Sequence, residues 1–71
     1  MKVTLFSPNE DKSTHVEVLG VERTKTHNIL LCLTEEKAVE LSSILGLLGI
    51  PFTHKKILFF NAIYVSNEYT S

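Results

Sequence analysis

Nearly every residue of the stretch ILFFNAIYV (57–65) is apolar, and only Asn61 interrupts the run. The β-branched and aromatic side chains of such a run suit a pleated, packed setting. The sequence favours one long strand over residues 57–65. A hairpin turning at Asn61-Ala62 is the alternative, but that pair lacks the glycine that two-residue turns favour. On a single strand, Ile57, Phe59, Ile63 and Val65 point one way with Asn61 among them, and Leu58, Phe60, Ala62 and Tyr64 point the other way.

One helix can cover only one of these faces. The other is expected to rest against a second chain or against the rest of this one. Left in water it would expose several hundred Å², at roughly 100 Å² or more per large side chain, which monomeric soluble proteins seldom tolerate. Chain length sharpens the problem. Ordering 71 residues costs on the order of 100 kcal/mol at roughly 1.5 kcal/mol per residue, and a core this small offsets that narrowly. The 44% hydrophobic composition is that of a globular chain, not a disordered one.

The chain reads as a single domain, residues 1–71. MKVTLF is a first strand and SPNEDKS a turn, rich in residues that each favour turns for a different backbone reason. THVEVLGVE is a second strand, with Gly20 marking a bulge or bend. RTKTHN is a polar connection, and ILLCL is a short strand of the kind buried on both faces. Thr34 is the expected N-cap of a helix over about 34–48, with Glu35 and Glu36 at the positive end of its dipole. Ala38, Leu41, Ile44, Leu45 and Leu48 share one stripe, and Gly49 with Pro51 ends the helix. PFT adds a short strand or returns the chain, HKK is a turn, and the tail SNEYTS frays. The order β-β-β-α-β defines an α+β two-layer sandwich, a mainly antiparallel sheet of about four strands with one helix on one face. If the strands before and after the helix are neighbours, they run parallel through a right-handed crossover.

The lone cysteine, Cys32, cannot form an internal disulfide and sits in an apolar run as a core thiol, so a reducing, cytoplasmic setting is expected. No signal peptide is expected, because Pro8 and charges follow MKVTLF before an apolar segment develops. The longest uncharged stretch, Leu41 to Thr53, is too short and too broken for a membrane span. Formal charge is −1, which gives no global attraction to nucleic acid or to an anionic membrane.

No catalytic or cofactor pattern stands out, and the chain is read as a non-enzyme without cofactor or metal. His15, His27 and His54 lack the short spacings of zinc ligands. No G-x-S-x-G elbow is present, and Glu36 and Glu40 lie on an outer helix face rather than in a pocket that would split their pKa values. Asn61, polar within an apolar face, is the candidate to line a pocket built between subunits, with an edge or loop position bonded to water or backbone as the alternative.

The apolar surplus points to a small protein-binding module, an inhibitor or regulatory adaptor of a larger macromolecule that is also a homodimer. Its expected contact residues are Leu58, Phe60 and Tyr64 on the uncovered strand face, with Val39 and Leu47 on the outer helix side. Steric blocking would be the mechanism, with Phe60 and Tyr64 as aromatic anchors. A phosphate or nucleic-acid binder is the alternative, with Arg23, Lys25, Lys55 and Lys56 forming a cationic patch if their two loops meet at one end of the sheet. An enzyme with its site between subunits ranks below both.

Overall fold

A computed structural model describes all 71 residues. Its elements are β1 (Lys2–Phe6), β2 (Ser13–Glu17), β3 (Gly20–Arg23), β4 (His27–Cys32), α1 (Glu35–Leu48), β5 (Phe52–Ile57), β6 (Phe60–Ser66) and a single 3-10 turn, Asn67–Tyr69. The fold is α+β, with α1 packed against a four-stranded antiparallel sheet ordered β3-β4-β6-β5. β1 and β2 form a separate two-stranded sheet.

The helix forms where its caps dictate. The Thr34 hydroxyl accepts the Lys37 N–H at 3.2 Å, satisfying one of the orphan donors of the first turn. Gly49 adopts φ 73°, a left-handed conformation that glycine enters without a Cβ penalty. The Gly49 N–H then returns to Gly46 O, and the Ile50 N–H to Leu45 O at 2.9 Å. Ser7, in the β1–β2 turn, adds a hydroxyl bond of 2.9 Å to the Leu48 carbonyl. Ala38, Leu41 and Leu45 are buried, and Ile44 and Leu48 are partly covered at the flanks of the stripe.

This stripe meets Leu30, Cys32, Ile63 and Val65 from the sheet, while Val3 and Leu5 of β1 close the same core. One face of the four-stranded sheet is thereby covered by both α1 and the β1–β2 hairpin. The alternation along β4 and β6 leaves Ile29, Leu31, Ala62 and Tyr64 on the opposite, open face.

Four expectations are corrected. The segment 57–65 is not one strand: β5 ends at Ile57, Leu58 and Phe59 turn, and β6 starts at Phe60, with Ile57 paired to Phe60. Neither does it turn at Asn61-Ala62, since both lie within β6. HKK is no loop; it continues from PFT through β5, a fully exposed edge strand whose lysines discourage pairing with other chains. THVEVLGVE divides at Val18-Leu19 into two strands that belong to different sheets. The tail is ordered: Thr70 is buried and bridges Leu5, and the Ser71 N–H reaches Thr4 O at 2.9 Å. β4 and β5 do run parallel, but β6 lies between them. No helix is long and apolar enough to cross a membrane.

Candidate functional site: the β5–β6 hairpin tip

The two-residue connection Leu58-Phe59 sits at the end of the β5–β6 hairpin with nothing packed on it. Leu58 is 83% exposed and Phe59 86%. Leu58 holds φ 51°, the only non-glycine residue of the chain at positive φ. A branched side chain in that region costs about 1–2 kcal/mol. Both terms run against folding, because the chain strains its backbone and leaves two large apolar side chains in water. Ile57 and Phe60, the closing pair of the hairpin, are also exposed, and so is Leu33, one residue beyond the Cys32–Asn61 pair. A phenylalanine offers on the order of 150–250 Å² of surface, so the tip with its shoulders reaches the patch size that marks interaction sites.

The sequence-derived contact residues do not form one surface. Leu58 is at the tip, whereas Phe60 and Tyr64 belong to the open sheet face. Val39 and Leu47 are exposed on the outer side of α1, across the thickness of the molecule from that face. Phe59 and Ile57 join Leu58 at the tip, and sequence reasoning missed both as contact residues. Only the excess of apolar residues in ILFF pointed to them.

Nor do the bases converge. Arg23 and Lys25 lie at the β3–β4 turn, while Lys55 and Lys56 are on the opposite edge strand toward the other end. Three strand spacings of about 4.8 Å separate these edges. Arg23 is occupied by the Ser71 carbonyl at 2.7 Å. The Lys55 ammonium lies 5.2 Å from the centre of the Tyr64 ring, a cation–π contact on the open face. Asn61 lines no pocket; it is buried and its Oδ1 meets His54 Nε2 at 3.0 Å.

A groove of about 470 Å³ runs between β2 and α1, with Val18, Leu19, Cys32, Leu33 and Leu41 among its lining. The polar groups at its rim already have partners within the chain. His15 Nδ1 is bonded to Thr4 Oγ1 at 2.9 Å, and Lys37 lies 3.6 Å from Glu40. The Met1 ammonium donates to Glu17 at 2.9 Å and holds that carboxyl below its usual range. Burial pushes the Cys32 thiol up, which keeps it protonated and a poor nucleophile. No three His, Cys, Asp or Glu side chains lie close enough to share a metal ion.

No family model, curated protein or solved structure matches the chain.

Glycine at position 58 should relieve the backbone strain. Leu58→Gly is expected to raise stability by about 0.5–1 kcal/mol, the left-handed penalty less the extra freedom of glycine in the unfolded chain. For a domain this small, that is about 2–8 °C in melting temperature by calorimetry. An unchanged or lower melting temperature would show that the leucine is retained for stability.

Proposed function

We propose that this chain is a small non-enzymatic protein-binding module that acts as an inhibitor or regulatory adaptor of a larger macromolecule. It grips its target with the Leu58-Phe59 tip. The observation that carries the proposal is the combination at the tip: a strained backbone presenting a leucine and a phenylalanine almost wholly to water. Backbone strain that no internal contact rewards is characteristic of recognition sites. A hairpin tip also projects its side chains at little entropic cost, because the paired strands behind it are already ordered.

Hydrophobic anchors that enter a partner's pocket carry most of an interface's energy, at about 2 kcal/mol or more each. The double substitution Leu58→Asp and Phe59→Asp is therefore expected to weaken target binding at least about thirtyfold. Its melting temperature should stay within a few degrees, since neither side chain supports the core. The measurement is affinity capture with wild type and variant side by side, followed by calorimetric titration of the protein recovered. Equal binding by both would refute the tip as the contact.

A further inference from the structure

The free edge of β5, the longer of the sheet's two outer strands, is defined by its backbone and its charges together. We infer that this edge is a docking site for an extended acidic segment of another protein, which adds to the sheet as a further strand with carboxylates opposite His54 and Lys56. The inference is independent of what the hairpin tip grips.

The hairpin decides which backbone groups are free. Only Leu58 and Phe59 separate Ile57 from Phe60, so these two can pair only by exchanging their own N–H and C=O groups. Bonded and non-bonded pairs alternate along an antiparallel ladder, so Lys55 and Thr53 also bond to β6. The N–H and C=O groups of Phe52, His54 and Lys56 therefore point away from β6. None of them finds a partner in the turns, loops or caps of the chain, and every residue of β5 is exposed. An incoming strand meets a regular row of donors and acceptors there, the template for strand addition. Only a polypeptide backbone matches that row.

Charge selects the occupant. β5 carries His54, Lys55 and Lys56 and no acid, whereas β3, at the other end of the sheet, includes Glu22. None of the ion pairs of the chain involves the three basic side chains of β5. Lys55 lies over the Tyr64 ring on the open face, so the selection falls to His54 and Lys56 on the face toward α1, beside Ile63 and Asn61. A strand paired with β5 brings every second side chain to that face. Glutamates at alternate positions then come opposite both bases, a favourable cross-strand pairing. The lysines that repel unselective strands thus favour an acidic one. A second copy is disfavoured: in a β5–β5 pair about a two-fold axis, registers centred on His54, Lys55 or Lys56 set that residue against its own copy.

The test uses a short capped peptide of alternating glutamate and valine, with amide hydrogen exchange of the whole chain followed by NMR. In the free chain the Phe52, His54 and Lys56 amides are expected to exchange nearly as fast as those of an unfolded peptide. A dissociation constant of about 1 mM is expected, so about 10 mM peptide should slow these amides about tenfold. Lys56→Glu is expected to raise the dissociation constant about tenfold, and the same peptide with lysine for glutamate should bind that variant more tightly than wild type. Leu58→Asn/Phe59→Gly removes the apolar tip and keeps a favoured two-residue turn. It should bind the glutamate peptide within about twofold of wild type, which separates this inference from the proposed function. No slowing at about 10 mM peptide overturns the inference. So does slowing that falls elsewhere and spares these three amides, or wild type binding the lysine peptide equally well. Protection of the three amides in the free chain that grows with its own concentration would assign the edge to a second copy instead.

Discussion

Leu45→Ala is expected to cost about 3 kcal/mol and to lower the melting temperature by about 12–24 °C. Leu45 has no exposed surface and lies in the centre of the helix stripe, in one cluster with Leu30, Ile63 and Val65 of the sheet and Val3 and Leu5 of the hairpin. Alanine is the best helix former, so α1 itself does not suffer. The loss is the transfer energy of the removed carbons plus the cavity they leave between three elements that cannot all close on it. A chain of this length is stable by about 4–11 kcal/mol, so one such cavity removes a large share. Two residues along the same helix, Leu47 is 89% exposed. Leu47→Ala should change stability by less than about 0.5 kcal/mol. Chemical denaturation of both variants at fixed protein concentration checks the contrast. Equal losses would mean that α1 is not seated as described.

The parts of this fold that a reader of the sequence can place are those governed by neighbours in the chain. The helix runs from the Thr34 cap to the Gly49 stop because both ends are local hydrogen-bonding events, and its buried stripe follows from residue spacing. The α+β class follows from the same reasoning. The missed elements depend on distant residues. A two-residue turn normally declares itself by glycine, asparagine or aspartate, and Leu58-Phe59 has none of them. The apolar run therefore reads as one strand. HKK resembles a loop because β5 buries none of its residues; its pairing with β6, not its composition, makes it a strand.

The candidate site was legible in kind and not in place. The surplus of apolar side chains near Phe60 and Tyr64 was visible in the residue list. Their division between a hairpin tip and an open sheet face follows only from the position of the turn. Once β5 and β6 are separate strands, Leu58 no longer shares a face with Phe60. The basic residues show the same dependence: adjacency of Arg23, Lys25, Lys55 and Lys56 was conditional on two loops meeting, and the strand order β3-β4-β6-β5 keeps them at opposite edges.

Removal of residues 67–71 is expected to destabilise the chain by about 3–5 kcal/mol, although the sequence alone marks this tail as frayed and therefore dispensable. The tail joins the two sheets. Asn67 takes up the β3–β4 turn through three bonds, its N–H to Thr26 O at 3.0 Å and its side-chain amide to Thr24 O at 3.1 Å and Lys25 O at 2.9 Å. Tyr69 packs on the core, and Thr70 and Ser71 line the free edge of β1, where the Thr4 N–H donates to the Ser71 hydroxyl at 3.0 Å. The buried Asn28 amide donates to Thr70 Oγ1 and to Ser71 O. Without the tail, that amide loses both of its acceptors, a loss of about 1–3 kcal/mol. The lost Tyr69 contact adds about 1.5 kcal/mol. Asn28 also supplies an internal control. Asn28→Leu destabilises the 71-residue chain by removing the amide that donates to Thr70 Oγ1 and Ser71 O, yet in the shortened chain it removes an amide that has lost its acceptors and is expected to recover about 1–2 kcal/mol. Thermal melts of the four proteins form a cycle in which the substitution changes sign with the tail. If the shortened chain melts within 2 °C of the full one, or if Asn28→Leu acts alike in both backgrounds, the tail does not hold the sheets together.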